Sequence, residues 1–238
     1  MMLRSLSADF LKIRGKGIWL LIFLAPLGVV GIEALNFGLR FDYLVGKQYA
    51  DNLWDGLIKE TSVFVPISLY LGCTLVSSLI ANVEHQLSSW KQLLALPISR
   101  TAVFSAKFTL CVLLLAVSCI VLSIGTIILG MSLGFGTAMP WKDLLTMGYF
   151  PFLASLPVLS LQLWLSLSFQ NQTFPVSLGV LISLVSPFFM QLSEWFPLNW
   201  PLMAFHSEHQ LWFIGFGIGV GIIIMLIGLV HFNRKDVD

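Results

Sequence analysis

Few residues in this chain have the type and spacing to do chemistry. Glu84 and His85 are adjacent, but no second histidine follows to complete the H-E-x-x-H pattern of a zinc helix. "HSEH", His206 to His209, places two imidazoles three residues apart beside Glu208, which suits either a small metal site or a solvated interfacial turn. "GKGIW", Gly15 to Trp19, pairs Gly with Lys yet lacks the upstream glycine and the following Ser or Thr of a G-x-x-x-x-G-K-[ST] phosphate loop. The serines scattered through the apolar stretches have no histidine at membrane depth to activate them. Cys73, Cys111 and Cys119 have no metal-type spacing and read as small apolar packing residues. No catalytic residue and no metal ligand is therefore expected, and any ATP must be handled by another protein.

The elements that would position such residues are membrane helices. Of 238 residues, 57% are hydrophobic and only 11% charged, whereas soluble domains carry roughly 25% charged residues. Six apolar runs, at about 18–36, 61–83, 108–131, 147–169, 174–192 and 211–232, each approach the ~20 residues needed to cross ~30 Å of hydrocarbon. They are apolar on all sides, where the strands of a barrel would alternate, so the expected fold is all-α, a polytopic bundle of six transmembrane helices in a single membrane domain, 1–238. A polar stretch precedes the first run and no small-residue cleavage site follows it, so that span is expected to be retained. Lys and Arg favour a cytoplasmic N-terminus: that orientation puts Arg4, Lys12, Arg14, Lys16, Lys91, Arg100, Lys107, Arg234 and Lys235 inside, and only Arg40, Lys47, Lys59 and Lys142 outside. Both termini then face the cytoplasm. No basic block stands apart from the membrane flanks, so no nucleic-acid partner is expected.

Ionisable side chains are nearly absent from the six runs, which argues against proton-coupled transport. Glu33 is the exception, read either as a snorkelling interfacial carboxylate or as a substrate or coupling residue. Tyr70, Thr74 and Ser77 share a stripe of the second run, and Ser155, Gln162 and Ser166 a stripe of the fourth. These stripes suit either a weakly polar translocation groove or helix packing with hydroxyl-to-backbone bonds. "GFGIGVG", Gly215 to Gly221, carries overlapping G-x-x-x-G registers for close helix approach. Pro151, Pro157 and Pro187 are expected to bend their helices. "SEWFPLNWPLMAF", between the last two runs, suits an interfacial or partly re-entrant segment.

Residues 84–100, "EHQLSSWKQLLALPISR", are half apolar and half polar. Leu87, Trp90, Leu93 and Leu94 fall on one helical side, with Glu84, Ser88, Lys91 and Gln92 on the other, giving a short amphipathic helix ended by Pro97. Ser99 is placed to cap the next helix, where Arg100 and Lys107 mark its passage through the headgroups. Two readings fit: a helix parked in the headgroup layer, or a rigid lever that passes the movement of a soluble motor into the membrane. A second amphipathic piece is expected at the N-terminus, where Leu3, Leu6, Phe10 and Ile13 share a face, with Arg4, Asp9, Lys12 and Lys16 around them. It would lie along the inner leaflet, its basic side chains near anionic lipid.

"SSWKQLLALPISRTAVFSAKF" resembles the cytoplasmic loop of ABC-2 type permeases, and "LSADFLKIRGKGIWLL" together with the six-span plan looks like the same family, especially its short bacterial lantibiotic-immunity and peptide-antibiotic exporter subunits. The resemblance implies that Glu84, Leu87, Trp90, Lys91, Leu94, Pro97 and Arg100 couple to a separate ATP-binding subunit, which holds the ATP and magnesium. It also implies a second permease subunit, identical or not, and a bacterial plasma-membrane location. The aromatic segment before the last span would be a lid over the exit. The function this implies is export of a hydrophobic or amphipathic compound such as a peptide antibiotic. The alternatives are an ABC-2 exporter of a lipid-linked compound, a drug or sodium ion, and a six-helix scaffold or sensor subunit that moves nothing.

Overall fold

The computed structural model describes residues 2–86, 99–191 and 193–234. A short amphipathic helix, α1 (Met2–Lys12), leads through the left-handed glycines Gly15 and Gly17 into α2 (Ile18–Leu39). At the far end of α2 a helical turn (Phe41–Tyr43) and a wide turn (Leu44–Gln48) reverse the chain into α3 (Leu53–Gln86), and α4 (Arg100–Ser132) runs antiparallel to it. Next come α5 (Trp141–Ala154), α6 (Leu156–Ser168) and α7 (Thr173–Val185). A 3-10 turn (Ser186–Gln191), a second one (Pro197–Asn199) and the short α8 (Trp200–His206) then lead to α9 (Gln210–Arg234).

Among the described residues four helices, α2, α3, α4 and α9, are long and apolar enough to span a membrane, and the pair α5 and α6, bent by 50°, makes a fifth if it crosses as one span. The expected sixth, 174–192, is a shorter apolar helix. Pro187 lies where its α-helical form gives way to the 3-10 turn, because proline cannot donate to the preceding turn. The fourth run breaks between its two expected prolines: Ser155 links α5 to α6, with Pro151 in the last turn of one and Pro157 in the first turn of the other. Pro26 and Pro66, by contrast, sit inside α2 and α3 without ending them.

Of the four long spans α3 is the most deeply buried and touches α2, α4, α5, α6 and α7, whereas α2 and α9 lie at the periphery with broad apolar faces outward. The main core runs along α3, α4 and α6, and takes in Ile13 just beyond α1. The expected apolar face of α1 is present: Leu6 and Phe10 pack against that core and Ile13 is 2% exposed. The three cysteines are buried and free.

Candidate functional site

The end of the bundle that carries α1 holds a group of charges that no single helix reveals. α3 brings Glu84 to within three residues of the undescribed stretch 87–98. On the other side of that stretch α4 starts at Arg100, capped as expected by the Ser99 side chain, which accepts from the Ala102 N–H at 3.2 Å. Two turns into α4, Lys107 is 1% exposed and Glu84 is 0% exposed. The Lys107 ammonium donates to Glu84 Oε1 at 2.8 Å and to Asp9 Oδ1 at 3.4 Å, and Lys12 donates to the same Glu84 oxygen at 2.8 Å.

Burying any one of these charges alone would be prohibitive, but together Asp9, Glu84, Lys12 and Lys107 sum to zero, and each cation meets a carboxylate. Asp9 is the least comfortable member. Burial raises its carboxyl above the ordinary value more than the Lys107 charge lowers it, and its Oδ2 has no partner among the described residues. The expectations that Lys107 marks a passage through the headgroups and that the basic side chains of the N-terminal helix lie near anionic lipid are corrected for Lys107, which is buried, and for Lys12, which turns to Glu84; α1 docks its apolar side on α4 and carries Asp9 in with it.

Further bonds tie this rim to the rest of the bundle. His85 Nε2 donates to the Ser166 carbonyl at 3.1 Å, and the Gln172 amide donates to the same carbonyl at 3.0 Å while accepting from Ser78 at 3.1 Å. Arg100 donates to the Asn233 carbonyl near the end of α9 at 3.3 Å. These bonds join the ends of α1, α3, α4, α6 and α9 to one another. Leu87, Trp90, Lys91, Leu94 and Pro97 lie outside the described residues; Glu84 and Arg100, which flank them, are both engaged.

The two polar stripes lie on facing helices. Thr74 donates to the Tyr70 carbonyl within α3, Ser77 is buried beside Cys111, and Ser155 donates to the Phe152 carbonyl at the α5–α6 break. Ser166 is buried, and its carbonyl takes the His85 and Gln172 bonds. Gln162, 0% exposed, reaches from α6 into α7: with its amide nitrogen toward Pro175 it donates to that carbonyl at 3.1 Å and accepts from the Gly179 N–H at 3.2 Å. Gln162→Leu should accordingly cost about 0.5–1.5 kcal/mol by removing the side-chain bonds to α7, whose Gly179 N–H and Pro175 carbonyl keep each other as partners four residues apart in the helix. The test is thermal unfolding of the purified protein, in which Gln162→Glu should not rescue the loss because a carboxylate cannot donate to Pro175.

Glu33 does not snorkel. It is 0% exposed, one oxygen accepting from the Asn36 amide at 3.2 Å and the other without a partner among the described residues. Near the middle of α3, Tyr70 donates to the Leu198 carbonyl at 2.7 Å. Ser62 spends its hydroxyl hydrogen on the Lys59 carbonyl, so the His206 ring donates to the Ser62 oxygen from Nε2 at 3.0 Å. Burial, then the Lys59 charge, hold that imidazole below its ordinary pKa, which favours the neutral ring.

Four apolar helices long enough to span a membrane, with a bent pair as a fifth, define a polytopic membrane protein. Residues 5–186 match the family model described as ABC-2 family transporter protein, and the chain belongs to that family. Members are membrane-spanning subunits, not themselves ATPases, and generally partner with an ATP-binding subunit. No curated protein and no solved structure matches the chain.

Proposed function

We propose that this chain is the permease subunit of an ATP-driven exporter in a bacterial plasma membrane, with both termini cytoplasmic and residues 84–100 contacting a separate ATP-binding subunit that carries the ATP and magnesium. A second permease subunit completes the path. The cargo that fits apolar, uncharged walls is a hydrophobic or amphipathic compound such as a peptide antibiotic.

One observation carries the reading: the Lys107–Glu84 ion pair bridges the two flanks of residues 87–98, and α1 is tied in through Asp9 and Lys12. Separating buried charges is expensive, so a push on that segment moves the ends of α1, α3 and α4 as one body instead of fraying them. Membership of the ABC-2 family supports the ATPase as the source of the push.

The test is co-purification of the permease with its ATP-binding subunit. Changing Trp90 and Leu94 together to Asp should reduce recovery of the ATPase by about tenfold or more, as expected when two apolar anchors of an interface are lost, and should abolish export in cells. Normal recovery and normal export by that variant would remove the coupling role.

A further inference from the structure

The segment between α7 and α9 enters the bundle and ends on a polar tip. Tyr70 is the eighteenth of the 34 residues of α3, and its bond to the Leu198 carbonyl holds the tip at about mid-helix, while His206 ties the exit of α8 to Ser62, eight residues nearer the helix start. On that tip Asn199 is 2% exposed, and neither its amide oxygen nor its amide nitrogen has a partner among the described residues. Trp200, 6% exposed and packed against Phe216, buries its indole N–H in the same condition. The Asn199 main-chain N–H, in contrast, is satisfied by the Phe196 carbonyl at 2.8 Å. Three side-chain polar atoms on two consecutive residues are thus buried with no partner among the described residues.

Such groups are costly and native structures rarely keep them without a reason. An apolar residue would pack the tip more favourably, because replacing an unsatisfied buried polar group with one of similar shape removes the desolvation penalty. The chemistry offered is specific. A carboxamide gives one acceptor and two donors, and the indole gives one more donor. An ester or an ether could satisfy only donors. A secondary amide, with its N–H and C=O fixed in one plane, can engage the Asn199 oxygen and a donor together.

We infer that Asn199 and Trp200 form a recognition point for an amide group of the transported amphiphile, closed in this conformation and engaged when the re-entrant segment moves off α3. The inference rests on the permease reading and narrows its cargo to amide-bearing molecules. The unpaired atoms disfavour the closed tip, and a bound amide compensates them on opening.

The experiment uses the full chain in lipid nanodiscs, without the ATPase, and a dodecanoyl dipeptide amide as probe beside its ester analogue, in which oxygen replaces the peptide N–H. Wild type should bind the amide about tenfold more tightly than the ester, the worth of one well-made hydrogen bond. Asn199→Leu should raise the melting temperature and erase that preference. Trp200→Phe keeps the ring against Phe216 and should weaken both probes without unfolding the protein, so it decides the matter if Asn199→Leu does not fold. Equal binding of amide and ester to wild type, a lower melting temperature for Asn199→Leu, or unchanged affinity in Trp200→Phe would each overturn the inference. Because the ATPase is absent, these results are independent of co-purification: a permease that selects amides but recruits no ATPase would defeat the exporter reading and leave the recognition point standing.

Discussion

Lys107→Met is expected to destabilise the protein by about 3–5 kcal/mol, the usual consequence of removing one member of a buried ion pair and stranding the other. For a chain of this size that is a fall in Tm of roughly 10 °C. Methionine fills nearly the same volume, so packing is preserved and the loss reports charge. Without the ammonium, Glu84 keeps the Lys12 bond, but Lys12 is partly exposed, and Asp9 loses the cation it contacts. Combining Lys107→Met with Glu84→Gln should restore part of the loss, since the uncompensated carboxylate goes with its partner. Asp9→Asn should be mild, within about 1 kcal/mol, because Asp9 is held at 3.4 Å and is disfavoured by burial.

The same contrast has a pH signature. The Asp9 carboxyl holds its proton to higher pH in the folded protein than in the unfolded chain. Its ionisation therefore subtracts from stability: the penalty is absent below the unfolded value, grows as pH rises, and is complete above the folded value. Asp9→Asn should flatten that part of the profile in thermal melts taken across the acid range. A profile that is already flat in the wild type would show that Asp9 is comfortably ionised.

Four of the expected spans, and a bent pair as a fifth, were legible because a helix that is apolar all round has one home, and Pro151, Pro157 and Pro187 lie where helices break or change form. Ser99 announced its helix by position alone. The charged rim was not legible in the same way. Lys107 lies 98 residues from Asp9 and 23 from Glu84, and a lysine at the head of a span reads locally as a snorkelling group. One signal was present: Asp9 falls three residues after Leu6 and four before Ile13, so it shares the face that α1 buries. A carboxylate on an apolar stripe requires a cation from elsewhere. The polar stripes were ambiguous for a related reason, since a hydroxyl that bonds its own helix and one that faces a passage have the same spacing, and only neighbours such as Pro175 and Gly179 distinguish them.

The glycines of α9 show how such neighbours set the sign of a mutation. "GFGIGVG" offers two registers, and the structure uses them differently. Gly217 lies against the Ala154 backbone and Gly221 against Leu156 and Pro157, so this pair seats α9 on the α5–α6 break, where Ser160 also donates to the Gly221 carbonyl at 2.8 Å. Gly215 and Gly219 face open space. Gly217→Ala places a methyl group where main-chain atoms already are, and a backbone cannot swing aside as a side chain does. The expected cost is about 3 kcal/mol, the upper end for overpacking. Gly215→Ala meets nothing and should stabilise by roughly 0.5–1 kcal/mol through helix propensity. Melting the two variants side by side tests the docking of α9 directly: equal effects would mean that α9 does not rest on the break, whereas opposite signs would establish that the last span is held by contact between its backbone and that of the bent one.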